Sequence, residues 1–172
     1  MISLSDNEFS VISFLVRNFA EKLTIRNIAQ RLNFSPAGVF NILKKLEKQS
    51  IVVGQKLGTG LFYGINFENK IAEHLAAVVL LYSEEKIEID IEKLKQADAA
   101  IFDKKILLLI TDNITVLDVS IPNVEVTAKT EDELIGLFRK KDSQMLKILK
   151  KGAVLFGEDK IVEIIKQCIS RF

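Results

Sequence analysis

A chain of 172 residues that is 48% apolar, with 24 Lys or Arg against 23 Asp or Glu, is long enough to bury one large core or two small ones. Its single Cys168 and single His74 exclude an intramolecular disulfide and a cysteine zinc site, and leave Ser-His or Cys-His chemistry dependent on two isolated side chains meeting in space. The apolar run from Leu75 to Tyr82 is far too short to cross a bilayer, and no basic region precedes an apolar one at the N-terminus, so a soluble, cytoplasmic protein without cofactor or metal is expected.

Ser5-Asp6-Asn7-Glu8 has the spacing of a capping box and predicts a helix to about Asn18, with Phe9, Ile12, Phe14, Leu15, Val16 and Phe19 in its core. Thr24 caps a short helix bearing Ile25, Ile28, Ala29 and Leu32, and Asn33-Phe34 forms a tight turn. Ser35-Pro36 then opens another helix, since Pro at the first helical position gives up only a donor that would be unpaired there. This helix buries Val39, Ile42, Leu43 and Leu46 and leaves Ala37, Gly38, Asn41, Lys44, Lys45 and Lys48 on its other faces. Ile51–Val53 and Leu61–Tyr63 flank a glycine-rich tip, Gly54 to Gly60, which reads as a hairpin.

Thr24-Ile25-Arg26-Asn27-Ile28-Ala29, Ser35-Pro36-Ala37-Gly38-Val39 and Leu43-Lys44-Lys45-Leu46-Glu47-Lys48 resemble the MarR-like winged helix-turn-helix regulators of archaea and bacteria, over roughly the first 70 residues. The resemblance implies that the second helix of the motif enters the DNA major groove. Ser35, Pro36, Ala37, Gly38, Phe40 and Asn41 would then lie toward base edges, Lys44, Lys45 and Lys48 toward phosphates, and Arg26, Lys56 and Thr59 along the flanking backbone. Phe40 departs from the small or polar residue usual at its place; it suits a thymine methyl or a protein contact. Charge agrees with this placement. Residues 1 to 70 carry nine Lys or Arg against five Asp or Glu, and the remainder 15 against 18, so the first part is the one suited to a polyanion.

Glu68 to Ser83 predicts a helix with a wide apolar side, Ile71, Leu75, Val78 and Val79 with alanines beside them. Such a side needs more than one neighbour to cover it. Two readings stand: a homodimer interface built on those four residues, or packing within the chain. A charged stretch to Lys95 leads into a second folding unit. There Lys105–Ile110 and Ile114–Val119 predict a hairpin across Asp112-Asn113, and Val124–Lys129 a third strand after Pro122. Thr130-Glu131-Asp132-Glu133 is a second capping box, followed by helices from about Asp142 to Gly152 and from Asp159, with a short strand Ala153–Phe156 between them.

Leu107 to Asn113, Val124 to Thr127, Glu131 to Leu134, Arg139 to Asp142 and Leu146 to Gly157 resemble the small nucleotidyltransferase domains fused behind winged helices in archaea and bacteria. That resemblance implies a Gly-Ser loop for the nucleotide phosphates and an Asp-x-Asp pair for magnesium. Leu81-Tyr82-Ser83-Glu84 and Lys104-Lys105-Ile106 stand at those places, and neither Lys nor Ile ligates magnesium. Glu125 stands near a third acid, and Asp98 with Asp103 is the alternative acid pair. Gly58-Thr59-Gly60, between two strands, does not lead into a helix as a phosphate loop would.

The expected architecture is α+β: a winged helix over residues 1–67, a connecting helix and linker over 68–95, and a degenerate nucleotidyltransferase-like α/β domain over 96–172. The expected function is that of a non-enzymatic, sequence-specific regulator of transcription that binds double-stranded DNA as a homodimer. The alternatives are an active nucleotidyltransferase acting on protein or RNA, and a protein-binding, antitoxin-like subunit.

Overall fold

The computed structural model describes residues 4–82, 89–94, 96–113 and 119–169. The chain divides into two compact units, Met1–Val79 and Leu80–Phe172.

In the first unit, helix α1 (Asp6–Arg17) starts at the expected capping box: the Ser5 N–H donates to Glu8 Oε2 at 2.8 Å and the Glu8 N–H to Ser5 Oγ at 3.4 Å. Two backbone donors left over by the first turn are thereby satisfied. Its buried face is Val11, Ile12, Leu15 and Val16, with Phe9, Phe14 and Phe19 only half-buried. Helix α2 (Ile25–Leu32) has a capping box between Thr24 and Asn27 and ends on Asn33 in the left-handed region, φ 56°. The Phe34 N–H then returns to the Ala29 carbonyl at 2.9 Å, a Schellman closure that sets the tight turn into helix α3 (Pro36–Lys48). A second such closure follows α3, where Ser50 sits at φ 57° and the Ile51 N–H reaches the Leu46 carbonyl at 2.9 Å.

Strands β1 (Val52–Leu57) and β2 (Gly60–Ile65) pair antiparallel through all six positions, from Val52 opposite Ile65 to Leu57 opposite Gly60. The expected glycine-rich tip is therefore much smaller than Gly54 to Gly60. Only Gly58-Thr59 lies outside the ladder, with Gly58 at φ +59°, the position at which a two-residue hairpin turn asks for glycine. Leu23 adds an isolated bridge to Tyr63. Val39, Leu43, Leu46, Val52, Tyr63 and Ile65 are buried with the α1 residues. Helix α4 (Lys70–Leu81) follows, within the expected Glu68 to Ser83 span; Ser83 lies outside the described residues.

The second unit is built on a four-stranded sheet of β3 (Ala99–Asp103), β4 (Ile106–Ile110), β5 (Glu125–Lys129) and β6 (Ala153–Phe156) in the order β5-β4-β3-β6. Strands β3 and β4 are antiparallel, β3 and β6 antiparallel, and β4 and β5 parallel. This corrects the expected hairpin. The partner of Ile106–Ile110 is Ala99–Asp103, a strand not foreseen, while residues 114–118 of the anticipated partner lie outside the described residues. Leu107 to Ile110 are all buried, as a strand flanked on both edges and both faces requires.

Helices α5 (Glu131–Arg139), α6 (Ser143–Lys151) and α7 (Glu158–Ile169) complete the unit. Thr130 and Glu133 form the second capping box. Glu131 fastens α5 to α7, accepting from Lys160 Nζ and, at 2.7 Å, from Gln167 Nε2. Gly157 is conformationally required: at φ +76° a Cβ there would lie 2.3 Å from the Asp98 carbonyl oxygen and 2.4 Å from the Ala99 Cβ. Its bare backbone lets the end of β6 lie against the start of β3.

Candidate nucleic-acid interface

Helix α3 turns about 100° per residue, which separates its side chains into two opposite faces. Val39, Leu43 and Leu46 are fully buried, whereas Ala37, Phe40, Asn41, Lys44 and Lys48 are exposed. Ala37, Asn41, Lys44 and Lys48 follow an i, i+4, i+7, i+11 stripe, and Phe40 stands beside it, 44% exposed. Phe40 and Lys44 are one turn apart, and the Lys44 ammonium lies 5.8 Å from the Phe40 ring centroid, a cation–π distance. Glu47 is the one acid on this helix; its side chain lies 4.0 Å from Lys44 Nζ.

The remaining residues expected at the interface fall into several groups. Ser35 is exposed, but its Oγ is the N-cap of α3 and accepts from the Gly38 N–H at 3.0 Å. Pro36 occupies the first helical position and is exposed; Gly38 is half-buried beneath the cap, where a Cβ would come within 3.0 Å of Ser35 Oγ. Arg26 on α2, and Lys56 and Thr59 on the hairpin, are exposed.

Lys45 has a partner that the sequence did not reveal. Its Nζ lies 2.7 Å from Glu8 Oε1, and the Glu8 side chain is only 6% exposed while that of Lys45 is 48% exposed. Burial by itself would raise the Glu8 carboxyl, but hydrogen bonds from Lys45 and the Ser5 backbone, with the Lys45 charge, hold it below its ordinary value. The ammonium therefore ties α3 to the N-terminus of α1. Arg31 is likewise held inside the unit, 2.5 Å from Glu21 Oε2, 2.8 Å from Asn18 Oδ1 and 4.8 Å from the Phe14 ring centroid.

The hairpin also carries exposed apolar side chains, Val53, Leu57 and Leu61 at 49%, 39% and 45%. On α4 the four residues expected at a dimer seam separate. Ile71 and Val78 are 48% and 54% exposed and Leu75 is half-buried, but Val79 is 0% exposed within the chain and leaves the candidate interface.

In the second unit the positions implied for magnesium ligands are Lys104, at φ 49° in the turn between β3 and β4, Lys105, and Ile106 at the start of β4. None offers a carboxylate, so the donor set does not fit the metal. Leu81, aligned with the Gly-Ser loop, ends α4, and β3 passes into β4 through Lys104 and Lys105 alone. Asp98 precedes β3 and Asp103 is its last residue, so five steps of extended chain at 3.3 Å per residue set them about 17 Å apart. They cannot share one ion. Glu125 is exposed at the start of β5. Among the described residues no three His, Cys, Asp or Glu side chains group as a metal site, and no helix is long and apolar enough to cross a membrane.

Residues 2–58 match the model of the MarR family, a stretch running from before α1 to the hairpin turn. Over those residues the N-terminal unit is similar to the winged helix of that family. No curated protein and no solved structure matches the chain.

Proposed function

We propose that the chain is a sequence-specific, DNA-binding transcriptional regulator that acts as a homodimer and docks α3 in the major groove. The observation that carries this reading is the outward stripe of α3, on which small, amide and basic side chains stand opposite a fully buried apolar face. Lys44 and Lys48 on the helix, Arg26 on α2 and Lys56 on the hairpin provide exposed cations for phosphates. Lys45 contributes to α3's position through Glu8. The homodimer rests on Ile71, Leu75 and Val78 of α4, an i, i+4, i+7 stripe still exposed or half-exposed, and a two-fold pair of recognition helices calls for half-sites one DNA turn apart.

The C-terminal unit, in this reading, is a non-catalytic, nucleotidyltransferase-like scaffold. Two lysines and an isoleucine where carboxylates are needed support that reading, as does the distance between Asp98 and Asp103. The exposed Val53, Leu57 and Leu61 favour a second role as a protein-docking subunit; stable co-purification of another chain without DNA affinity would favour it over the first.

The test is anisotropy of a labelled 30-base-pair duplex titrated with the full chain at several salt concentrations. A dimer making about six to eight phosphate contacts gives a log–log slope on the order of −5 to −7. Lys44→Ala with Lys48→Ala should flatten the slope by a few units. A slope near zero, or one untouched by the pair, refutes the placement.

A further inference from the structure

The side chains left for base edges on α3, once the structural ones are set aside, are few and of one chemical kind. Ser35 Oγ is committed to the helix cap, Gly38 lies half-buried beneath it, and Lys45 is bound to Glu8. On the N-terminal half of the outward face, the part of a recognition helix that reaches bases, this leaves Pro36, Ala37, Phe40 and Asn41, all exposed, of which Pro36 offers only an apolar ring. The helix contains no Arg, the side chain whose two donors suit guanine O6 and N7. Asn41 is its single amide, and a carboxamide pairs with adenine N6 and N7. A methyl from Ala37 and the Phe40 ring are apolar surfaces, and the thymine C5-methyl is the one apolar group on a major-groove edge. The Lys44 ammonium over the Phe40 ring biases the aromatic side chain along the helix surface.

Resting on the DNA-binding reading above, we propose that α3 selects A·T pairs in the major groove of each half-site. Asn41 reads an adenine edge, and Phe40 with Ala37 reads the methyl groups of adjacent thymines. Lys44 and Lys48, one and two turns further along, meet the phosphates that fix the register.

The experiment selects duplexes from a random-sequence library with the full chain, then resynthesises the enriched duplex with uracil for thymine or 7-deazaadenine for adenine. Uracil lacks the methyl, and 7-deazaadenine lacks the N7 acceptor. Contiguous A·T pairs should be enriched in each half-site. Uracil should weaken the wild-type chain about fourfold per methyl lost from contact and weaken Phe40→Ala less, because only the Ala37 contact remains in that variant. 7-Deazaadenine should weaken the wild type about tenfold and leave Asn41→Ala unaffected. Selection of A·T through a narrow minor groove would leave both analogues without effect, and that result overturns the proposal. Enriched G·C cores, or analogue effects as large in the two variants as in the wild type, overturn it as well. Salt-dependent binding without any enrichment ends base reading by α3 while leaving DNA binding in place, whereas absence of binding to every duplex at low salt refutes both.

Discussion

Replacing Lys45 by Ala separates the structural cation of α3 from the exposed ones. The Glu8 carboxylate, with a side chain 6% exposed, keeps the Ser5 N–H at 2.8 Å but loses an ammonium at 2.7 Å. A hydrogen bond to a charged group contributes about 1.5–3 kcal/mol. Because Lys45 is itself 48% exposed and partly screened by solvent, the lower end applies, and the loss should be about 1.5–2 kcal/mol at pH 7. Lys44→Ala leaves no buried charge behind and should cost about 0.5 kcal/mol or less. The pH dependence fixes the cause. Glu8 is held below its ordinary value of 4.5, so its ionised form contributes stability that is present above 4.5 and is lost as pH falls through the lower native value. The gap between Lys45→Ala and wild type should therefore narrow below that value, as the carboxyl becomes neutral in both. Urea denaturation followed by circular dichroism at pH 7 and at successively lower pH measures it. Equal losses for Lys44→Ala and Lys45→Ala at pH 7, or a gap that does not narrow as the pH is lowered, would refute the reasoning.

Ile71→Glu with Val78→Glu places charges on exposed positions of α4 and should yield a folded monomer in sedimentation velocity, whereas Val79→Glu, at a position 0% exposed, should lower the melting temperature instead; an unaltered dimer in the first variant moves the interface off this helix. Ser50→Gly relieves a left-handed residue at φ 57° and should add roughly 1 kcal/mol to unfolding stability, while Ser50→Ala should add none. Gly157→Ala brings a Cβ to 2.3 Å from the Asp98 carbonyl on top of a positive φ, and should cost on the order of 3 kcal/mol in the same denaturation assay.

What the sequence determined by itself is local. Ser5 with Glu8, Thr24 with Asn27, Ser35 with Gly38 and Thr130 with Glu133 are all three residues apart, so each helix start was written in a span that the backbone fixes without help. The turn at Asn33 is equally short-range, and with the spacing of Val39, Leu43 and Leu46 it made the helix-turn-helix and the outward face of α3 legible, whereas the hairpin was legible only as a hairpin: its ladder runs on to leave Gly58-Thr59 alone as the turn. Tertiary structure decided what depends on distant neighbours. Ala99–Asp103 carries two alanines and no alternation, and is a strand because β4 and β6 supply its hydrogen bonds, β6 from some fifty residues further along the chain. Lys45 looked like one of three equivalent lysines until folding placed the carboxylate of Glu8, 37 positions earlier, beside it. Val78 and Val79 are chemically identical, yet a rotation of about 100° on α4 exposes one and buries the other. Helical periodicity marks the faces; only the packed neighbours say which of them is closed.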